Sequence, residues 1–379
     1  MNDSKPLEMD VLIAGGGVAG LWLLNRLRQQ NINAWLIENK QLGGIQTPAS
    51  QGIIHGGTKY ALTGKLSESA KAIGRMPELW QACLEGRGEL DLSKVEVFAQ
   101  HQYLWSTGRL DSNLAQFFAS KLMQSRMLAV KKEQFPELFK NPAFKGKLYQ
   151  LNEAVINPLS LIKVLIEPVK QYCFYGDILE IKQTDLNLTL QLKSGLTLQS
   201  QQLILTAGAG NAELLKQLNL TQPKQQLRPL QMVILKGNLP PLYAHCLGAS
   251  TTPKVTITSA QNIWYLGGQI AEAGVDLTPQ QQIAKAKSLL KSIIPWVNTE
   301  SCEWDTLFID RAEPEIASGL KPADAFVKKE GRVITAWPTK LALTPRLSEQ
   351  ILNLISIPKA PAQEIKDLPS VPLCLAPWQ

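Results

Sequence analysis

Two stretches carry residue types that could do chemistry. The first is Gly15-Gly16-Gly17-Val18-Ala19-Gly20, which follows the apolar run MDVLIA (residues 9–14) and precedes LWLLNRLRQQ. The second is SQGIIHGGTKYAL, residues 50–62, with a histidine, a Gly-Gly pair and a Lys-Tyr pair in one short apolar-flanked segment. A surface loop has no use for Ile53-Ile54, and a strand interior does not tolerate Gly56-Gly57. The first stretch reads as strand, G-x-G-x-x-G, helix. In that arrangement Gly15 allows the tight turn, Gly17 lets a pyrophosphate approach the backbone, and Gly20 lets the helix pack on the strand. The N–H groups opening the helix, around Val18 and Ala19, then present the positive helix end to an anion. A second apolar run, NAWLIEN, ends at Glu38, roughly twenty residues past the glycines, where a carboxylate can hydrogen-bond a ribose hydroxyl. Together these parts imply a bound dinucleotide.

The elements that must position these groups have ordinary support. The chain has 379 residues, 45% hydrophobic and 19% charged, enough for two domains or one large two-part fold. No run of about eighteen apolar residues suggests a membrane span, and the first ten residues have no apolar core of a signal peptide. Five cysteines, Cys83, Cys173, Cys246, Cys302 and Cys374, are scattered without C-x-x-C spacing. That pattern predicts neither a zinc site nor a disulfide framework, and it fits reduced thiols in a cytoplasm; no metal ligands are expected. The net charge of +7 and a pI near 9.0 come without any nucleic-acid-binding signature. The charge therefore fits small anions or an anionic membrane surface, including peripheral contact on the inner face of a membrane. A basic amphipathic stretch around residues 117–132 is the segment that would touch such a surface.

The region after Glu38 distinguishes the two common dinucleotides. Gly43-Gly44 and the polar segment 47–52 interrupt the alternation a nicotinamide domain would continue, and they lead into IIHGGTKYAL. GGGVAG, then Glu38, then A-S-x-G-x-I-H-x-G, resembles the D-amino-acid oxidase-like superfamily of FAD enzymes, which includes glycine oxidase, L-2-hydroxyglutarate dehydrogenase and glycerol-3-phosphate dehydrogenase; the nearest local match is to the last two. The likeness continues through INPLSLIKVL (156–165), the strand ending in Thr206-Ala207-Gly208-Ala209-Gly210, LRPLQMVILKG (227–237), IWYLGGQIAEAGVD, FIDRAEPEIASGLKPADAF and GRVITAWPTKLALTPRLSEQIL. It implies an α/β fold with an α+β substrate part: a Rossmann-like FAD-binding domain of the glutathione-reductase type and an antiparallel-sheet substrate domain. The expected division is 1–80, 156–226 and 302–379 for FAD, the last with the C-terminal tail, and 81–155 and 227–301 for substrate. The tail is Pro-rich and expected to be extended, with Trp378 available to dock.

The resemblance implies cofactor contacts from Gly15, Gly17, Val18, Ala19, Gly20, Glu38, Asn39, Gly44, Thr47, Ser50, Gly52, Ile54, His55, Ala207, Gly208, Thr339, Lys340 and Leu341. Gly52, Gly56 and Gly57 are expected to let the backbone lie against the flavin ring. His55 stands either as proton acceptor or as a ring packed on the cofactor. Arg311 matches a G-x-R-P position that forks a substrate carboxylate or phosphate, with Ala312 in place of the proline; alternatively it pairs on the surface with Glu313 or Glu315. Lys59 and Tyr60 line the pocket in the resemblance, or are solvated and half-buried respectively. Lys340 stands near flavin and substrate, or is a helix-entry lysine. The implied activity is hydride transfer from a small anionic 2-hydroxy acid or polyol phosphate to FAD, with O2 or a quinone as electron acceptor. Amino-acid or amine oxidation, and a flavin-binding partner protein with a decayed site, stand as alternatives.

Overall fold

The strand Leu7–Ala14 is buried over its last six residues, as a strand must be when layers cover both faces. It pairs in parallel with Thr197–Leu205 on one side and Ala34–Glu38 on the other. The computed structural model describes residues 6–56, 73–106, 127–248, 253–316, 322–355 and 368–379. Within them this first sheet runs Phe326–Glu330, Val333–Trp337, Thr197–Leu205, Leu7–Ala14, Ala34–Glu38, Cys173–Tyr175. Leu188–Leu192 and Ile178–Gln183 add an antiparallel flap to Thr197–Leu205. Val11 and Ile13 point to a helical layer that includes Leu21, Leu161 and Leu347, while Leu12 and Ala14 point to Leu190 and Leu203. The helix Pro158–Ile166 starts within the stretch INPLSLIKVL. Asn157 accepts from the Leu159 and Ser160 N–H groups, and Pro158 occupies the first turn.

The second sheet runs Glu303–Pro314, Gln225–Lys236, Ile263–Gly267, Val255–Ala260, Ala244–Leu247, Gln102–Ser106, Leu148–Leu151, Met127–Ala129. Its side chains alternate with the period of two that strands impose. Val233, Leu235, Ile257, Trp264 and Leu266 turn toward Ala286, Leu290 and Ile293 of the helix Pro279–Ile293. Leu230, Met232, Ile234, Tyr265, Leu307 and Ile309 occupy the other face and meet Ala49. That second face is the one turned toward the stretch that leads to His55.

Three expectations need correction. The second sheet is not wholly antiparallel: Ala244–Leu247 runs parallel to Gln102–Ser106, because the two strands come from separate insertions and no hairpin joins them. Residues 303–314, assigned to the cofactor part, pair along their whole length with Gln225–Lys236 and so belong to the second sheet. In the basic stretch 117–132, Met127–Ala129 is a strand paired with Leu148–Leu151; residues 117–126 lie outside the described residues. Of the Pro-rich tail, residues 368–379 are described, and Leu373 forms a parallel bridge with Leu42. Leu42 N–H donates to Pro372 O at 2.8 Å and Cys374 N–H donates to Leu42 O at 2.9 Å, and Trp378 docks edge-on against Tyr265 at 5.8 Å. No described helix is long and apolar enough to cross a membrane.

Candidate active site

The three motif glycines have separate geometric reasons. Gly15 has φ +113°, and a Cβ there would lie 2.5 Å from the Ala207 backbone; a Cβ on Gly20 would lie 2.1 Å from Gly15 O. Both are compelled by the protein's own packing. A Cβ on Gly17 would meet nothing nearer than Thr47 Oγ1 at 3.6 Å, so this residue borders open space. Val18 N–H donates to Thr47 Oγ1 at 3.2 Å, and Ala19 follows it in the first helical turn. Gly44, at φ +64°, is a neighbour of this turn: a Cβ there would lie 3.7 Å from Gly17 Cα.

Glu38 ends its strand with the carboxylate turned back to the turn. It accepts from the N–H groups of Gly16 at 2.7 Å, Asn39 at 3.0 Å and Lys40 at 2.8 Å. Three bonds leave roughly one of the four lone-pair sites on a carboxylate. The Asn39 amide is turned outward to Asp177 at 3.3 Å. Ala207 N–H is held by Asn211 Oδ1 at 2.8 Å, and Gly208, at φ +58°, faces the Gln46 amide. Thr339, at φ +59°, donates its hydroxyl to Asp324 O at 3.0 Å. Lys340 and Leu341 follow it into the turn before the helix Thr344–Leu352. All these residues gather at the carboxyl ends of parallel strands, where open α/β sheets bind ligands.

Two features of this cradle fit a phosphate-linked cofactor. The helix Val18–Gln29 opens on a glycine with no side-chain cap, so beyond Val18, whose N–H donates to Thr47 Oγ1, its first-turn N–H groups need an outside acceptor. Ser50 Oγ is buried with no hydrogen-bond partner among the described residues, an orphan that a bound group would satisfy.

The stretch 49–56 is pinned between the two sheets. Tyr265 OH donates to Ala49 O at 3.0 Å, and the Gln51 amide donates to Tyr265 O at 2.9 Å and Thr256 O at 3.0 Å. Ile54 is fully buried in the core beneath the first sheet, so only its backbone borders the site. The protein's own packing already acts on these glycines. A Cβ on Gly52 would lie 2.0 Å from Ile156 O, which forbids a side chain there, and one on Gly56 would press on Pro77 and Glu153 at 3.1 and 3.2 Å. Gly57 lies outside the described residues.

At the end of this stretch three side chains meet. His55 Nδ1 stands 3.5 Å from Glu153 Oε2, and the His55 ring stacks on His245 with centroids 5.9 Å apart. Glu153 also accepts from the Gly56 N–H and the Gln102 amide, each at 2.7 Å. Burial alone would raise its carboxyl. The hydrogen bond and charge of His55, the Gly56 N–H and the charge of His245 outweigh burial and hold it at about 2. His245 Nδ1 engages Thr256 Oγ1 at 2.8 Å. Neither Glu153 nor His245 belongs to a motif. The one signal for His245 is phase: Ala244 and Cys246 are core residues, so the residue between them faces the other way.

Cross-strand register carries that face along the sheet. His245 opposes Thr256, Thr258 opposes Tyr265, Tyr265 opposes Ile234, and Arg228 opposes Arg311. Arg311 thus lies on the same face as His245, four strands along. Among the described residues it makes no direct ion pair with either expected acid: Glu313 bonds Arg228 at 3.2 Å, and Arg311 Nε donates to Arg228 O at 3.4 Å. Burial and then the neighbouring Arg228 charge lower its pKa, outweighing the charges of Glu313 and Glu272, which act the other way. Lys59 and Tyr60 lie outside the described residues.

Comparisons with known proteins agree with this architecture. The family model described as "DAO: FAD dependent oxidoreductase" matches residues 10–309. The chain is 42% identical over 385 residues to the probable FAD-dependent oxidoreductase PA4991 of Pseudomonas aeruginosa, covering 99% of this chain and 98% of that protein. The crystal structure of that relative superposes with a TM-score of 0.86 at 38% identity, covering 99% and 98% of the two chains. Glycine oxidase from Geobacillus kaustophilus has the same fold, with a TM-score of 0.69 at 15% identity over 96% and 100% of the chains. So does L-alpha-glycerophosphate oxidase from Mycoplasma pneumoniae, a structure with FAD bound: TM-score 0.69, 15% identity, 94% and 97% covered. With the family model and a full-length relative in agreement, the chain belongs to the DAO family of FAD-dependent oxidoreductases, and FAD is its cofactor.

Proposed function

We propose that this enzyme oxidises a C–OH group of a small anionic substrate, a 2-hydroxy acid or a polyol phosphate. The observation that carries the reading is the His55–Glu153 pair, an imidazole beside a buried carboxylate at 3.5 Å. Bound FAD supplies the hydride acceptor. The Gly17 notch with the Val18 and Ala19 N–H groups would hold its pyrophosphate and Glu38 its ribose. Residues 44–52, Ala207-Gly208 and 339–341 would border the rest.

The chain's own task is to orient the substrate and take its hydroxyl proton. His55 accepts that proton, and the ionised Glu153 stabilises the imidazolium that results. Gln102 and the Gly56 N–H keep Glu153 in place. Arg311 is the candidate anchor for the substrate's anionic group. Its burial and the Arg228 charge disfavour the cation, and a bound carboxylate or phosphate relieves both penalties.

Mixing the oxygen-free holoenzyme with panels of hydroxy acids, polyol phosphates and amino acids tests the reading, with flavin bleaching as readout. A hydroxy acid or polyol phosphate is expected to bleach the flavin. His55→Asn should slow that bleaching by roughly 10²–10⁴-fold, the usual contribution of a positioned base. Bleaching by amino acids alone would move the enzyme to C–N oxidation, and bleaching by neither class would point to a decayed site. Reoxidation of the bleached flavin by O2 or by a quinone then identifies the electron acceptor.

A further inference from the structure

The trio at the end of the 49–56 stretch has a second chemical capacity. Nitrogen atoms of His55 and His245 and a carboxylate oxygen of Glu153 all lie within 4.8 Å of one another. We propose that these three side chains form a binding site for a divalent transition-metal ion of the zinc class. Nothing in the chain's cysteine or histidine spacing suggests it, because the ligands come from three distant segments.

The distances suit such an ion. Zinc–nitrogen and zinc–oxygen bonds of about 2.0–2.2 Å at a tetrahedral angle put neighbouring ligand atoms roughly 3.4 Å apart. His55 Nδ1 and Glu153 Oε2 already stand at 3.5 Å. All three ligand atoms lie within 4.8 Å of one another, so by this bond arithmetic shifts of no more than about 1.4 Å bring them to tetrahedral spacing. The His55 ring, 39% exposed, is the ligand with most room to move.

The surroundings have the form of an outer shell. Gln102 and the Gly56 N–H orient the carboxylate, and Thr256 holds His245 by Nδ1, which assigns Nε2 as its ligating nitrogen. Bonds of this kind fix ligand orientation in metal sites. Three protein ligands with one side open to solvent at His55 leave a position for water or another small ligand. Two imidazoles and one carboxylate favour zinc, nickel or copper over magnesium and calcium. The ion would replace the hydrogen that His55 Nδ1 directs at Glu153, taking from His55 the carboxylate that stabilises its imidazolium. Metal-loaded enzyme would therefore be inhibited, a consequence that rests on the function proposed above; the site itself does not.

The test is calorimetric titration of FAD-replete, EDTA-treated enzyme with zinc chloride, with magnesium chloride as control. One saturable zinc equivalent and no magnesium binding are expected. His245→Gln and His55→Asn should each weaken zinc at least tenfold. Thr256→Val, which removes only an orienting bond, should weaken it roughly tenfold or more. Unchanged flavin absorbance and melting temperature in each variant would exclude misfolding as the cause. Absence of saturable zinc binding, or affinity unchanged from wild type in His245→Gln and His55→Asn, would overturn the proposal and leave adventitious surface binding only. Zinc that binds one equivalent without slowing flavin bleaching would uphold the site and remove His55 as proton acceptor, so the two readings fail separately.

Discussion

Glu153 is the residue on which the histidine cluster turns, and its ionisation has a measurable thermodynamic signature. Its folded pKa of about 2 lies below the roughly 4.3 of an unfolded glutamate. A depressed folded pKa means that the unfolded chain binds the proton first as pH falls. The stabilisation is therefore complete above about pH 4.3, drains away below it and is gone below about 2, a contribution on the order of 3 kcal/mol. Urea denaturation at pH 5 and pH 3 should show wild-type enzyme losing more stability than Glu153→Gln over that interval. Equal losses would mean that the carboxylate is not held ionised by its neighbours. None of this was legible from the sequence. Leu151, Asn152 and Ala154 flank Glu153 with nothing to announce a partner, and His55 and Gln102 reach it only through tertiary structure.

Elements differ in how far local sequence determines them. The turn from Leu7–Ala14 into Val18–Gln29 and the acid ending Ala34–Glu38 were readable because the approach of Gly20 to Gly15 O and the bond from Gly16 N–H to Glu38 act within about thirty residues; the Ala207 backbone that also confines Gly15 was not. The capped start of Pro158–Ile166 was readable for the same reason. Which sheet Glu303–Pro314 would join was not, since its alternation suits either sheet and only the ladder with Gln225–Lys236 decides. Two glycines in these elements make opposite predictions. Gly17→Ala meets only Thr47 Oγ1 at 3.6 Å, so the apoprotein should keep its melting temperature while FAD affinity falls at least tenfold. Gly52→Ala combines φ +67° with an approach of 2.0 Å to Ile156 O. It should destabilise the apoprotein itself by roughly 1–3 kcal/mol or more. Thermal melts of both apoproteins with FAD fluorescence titrations separate the two; a destabilised Gly17→Ala would refute the open notch.

At the scale of the molecule, the two large sheets meet along the stretch 49–56 and at Ala312, which packs into the core of the first sheet, and the FAD cradle is assembled from distant parts of the chain. The register Leu203 with Val333 and Leu12 with Leu203 joins the beginning, middle and late portions of the chain in one parallel layer. Parallel pairing over such separations closes slowly. In full-length refolding from denaturant, capture of FAD fluorescence should trail the recovery of far-ultraviolet signal; simultaneous recovery would contradict an order set by topology. During synthesis the same layout imposes a wait. The innermost strand leaves the ribosome early, but its neighbour Thr197–Leu205 follows almost two hundred residues later, and the strand beyond that later still. At about 5–20 residues per second, one edge of this apolar ribbon, the one away from Ala34–Glu38, stays unpaired on the order of ten seconds or more. A holdase that shields this ribbon, rather than surplus flavin, would then govern how much active enzyme a cell obtains.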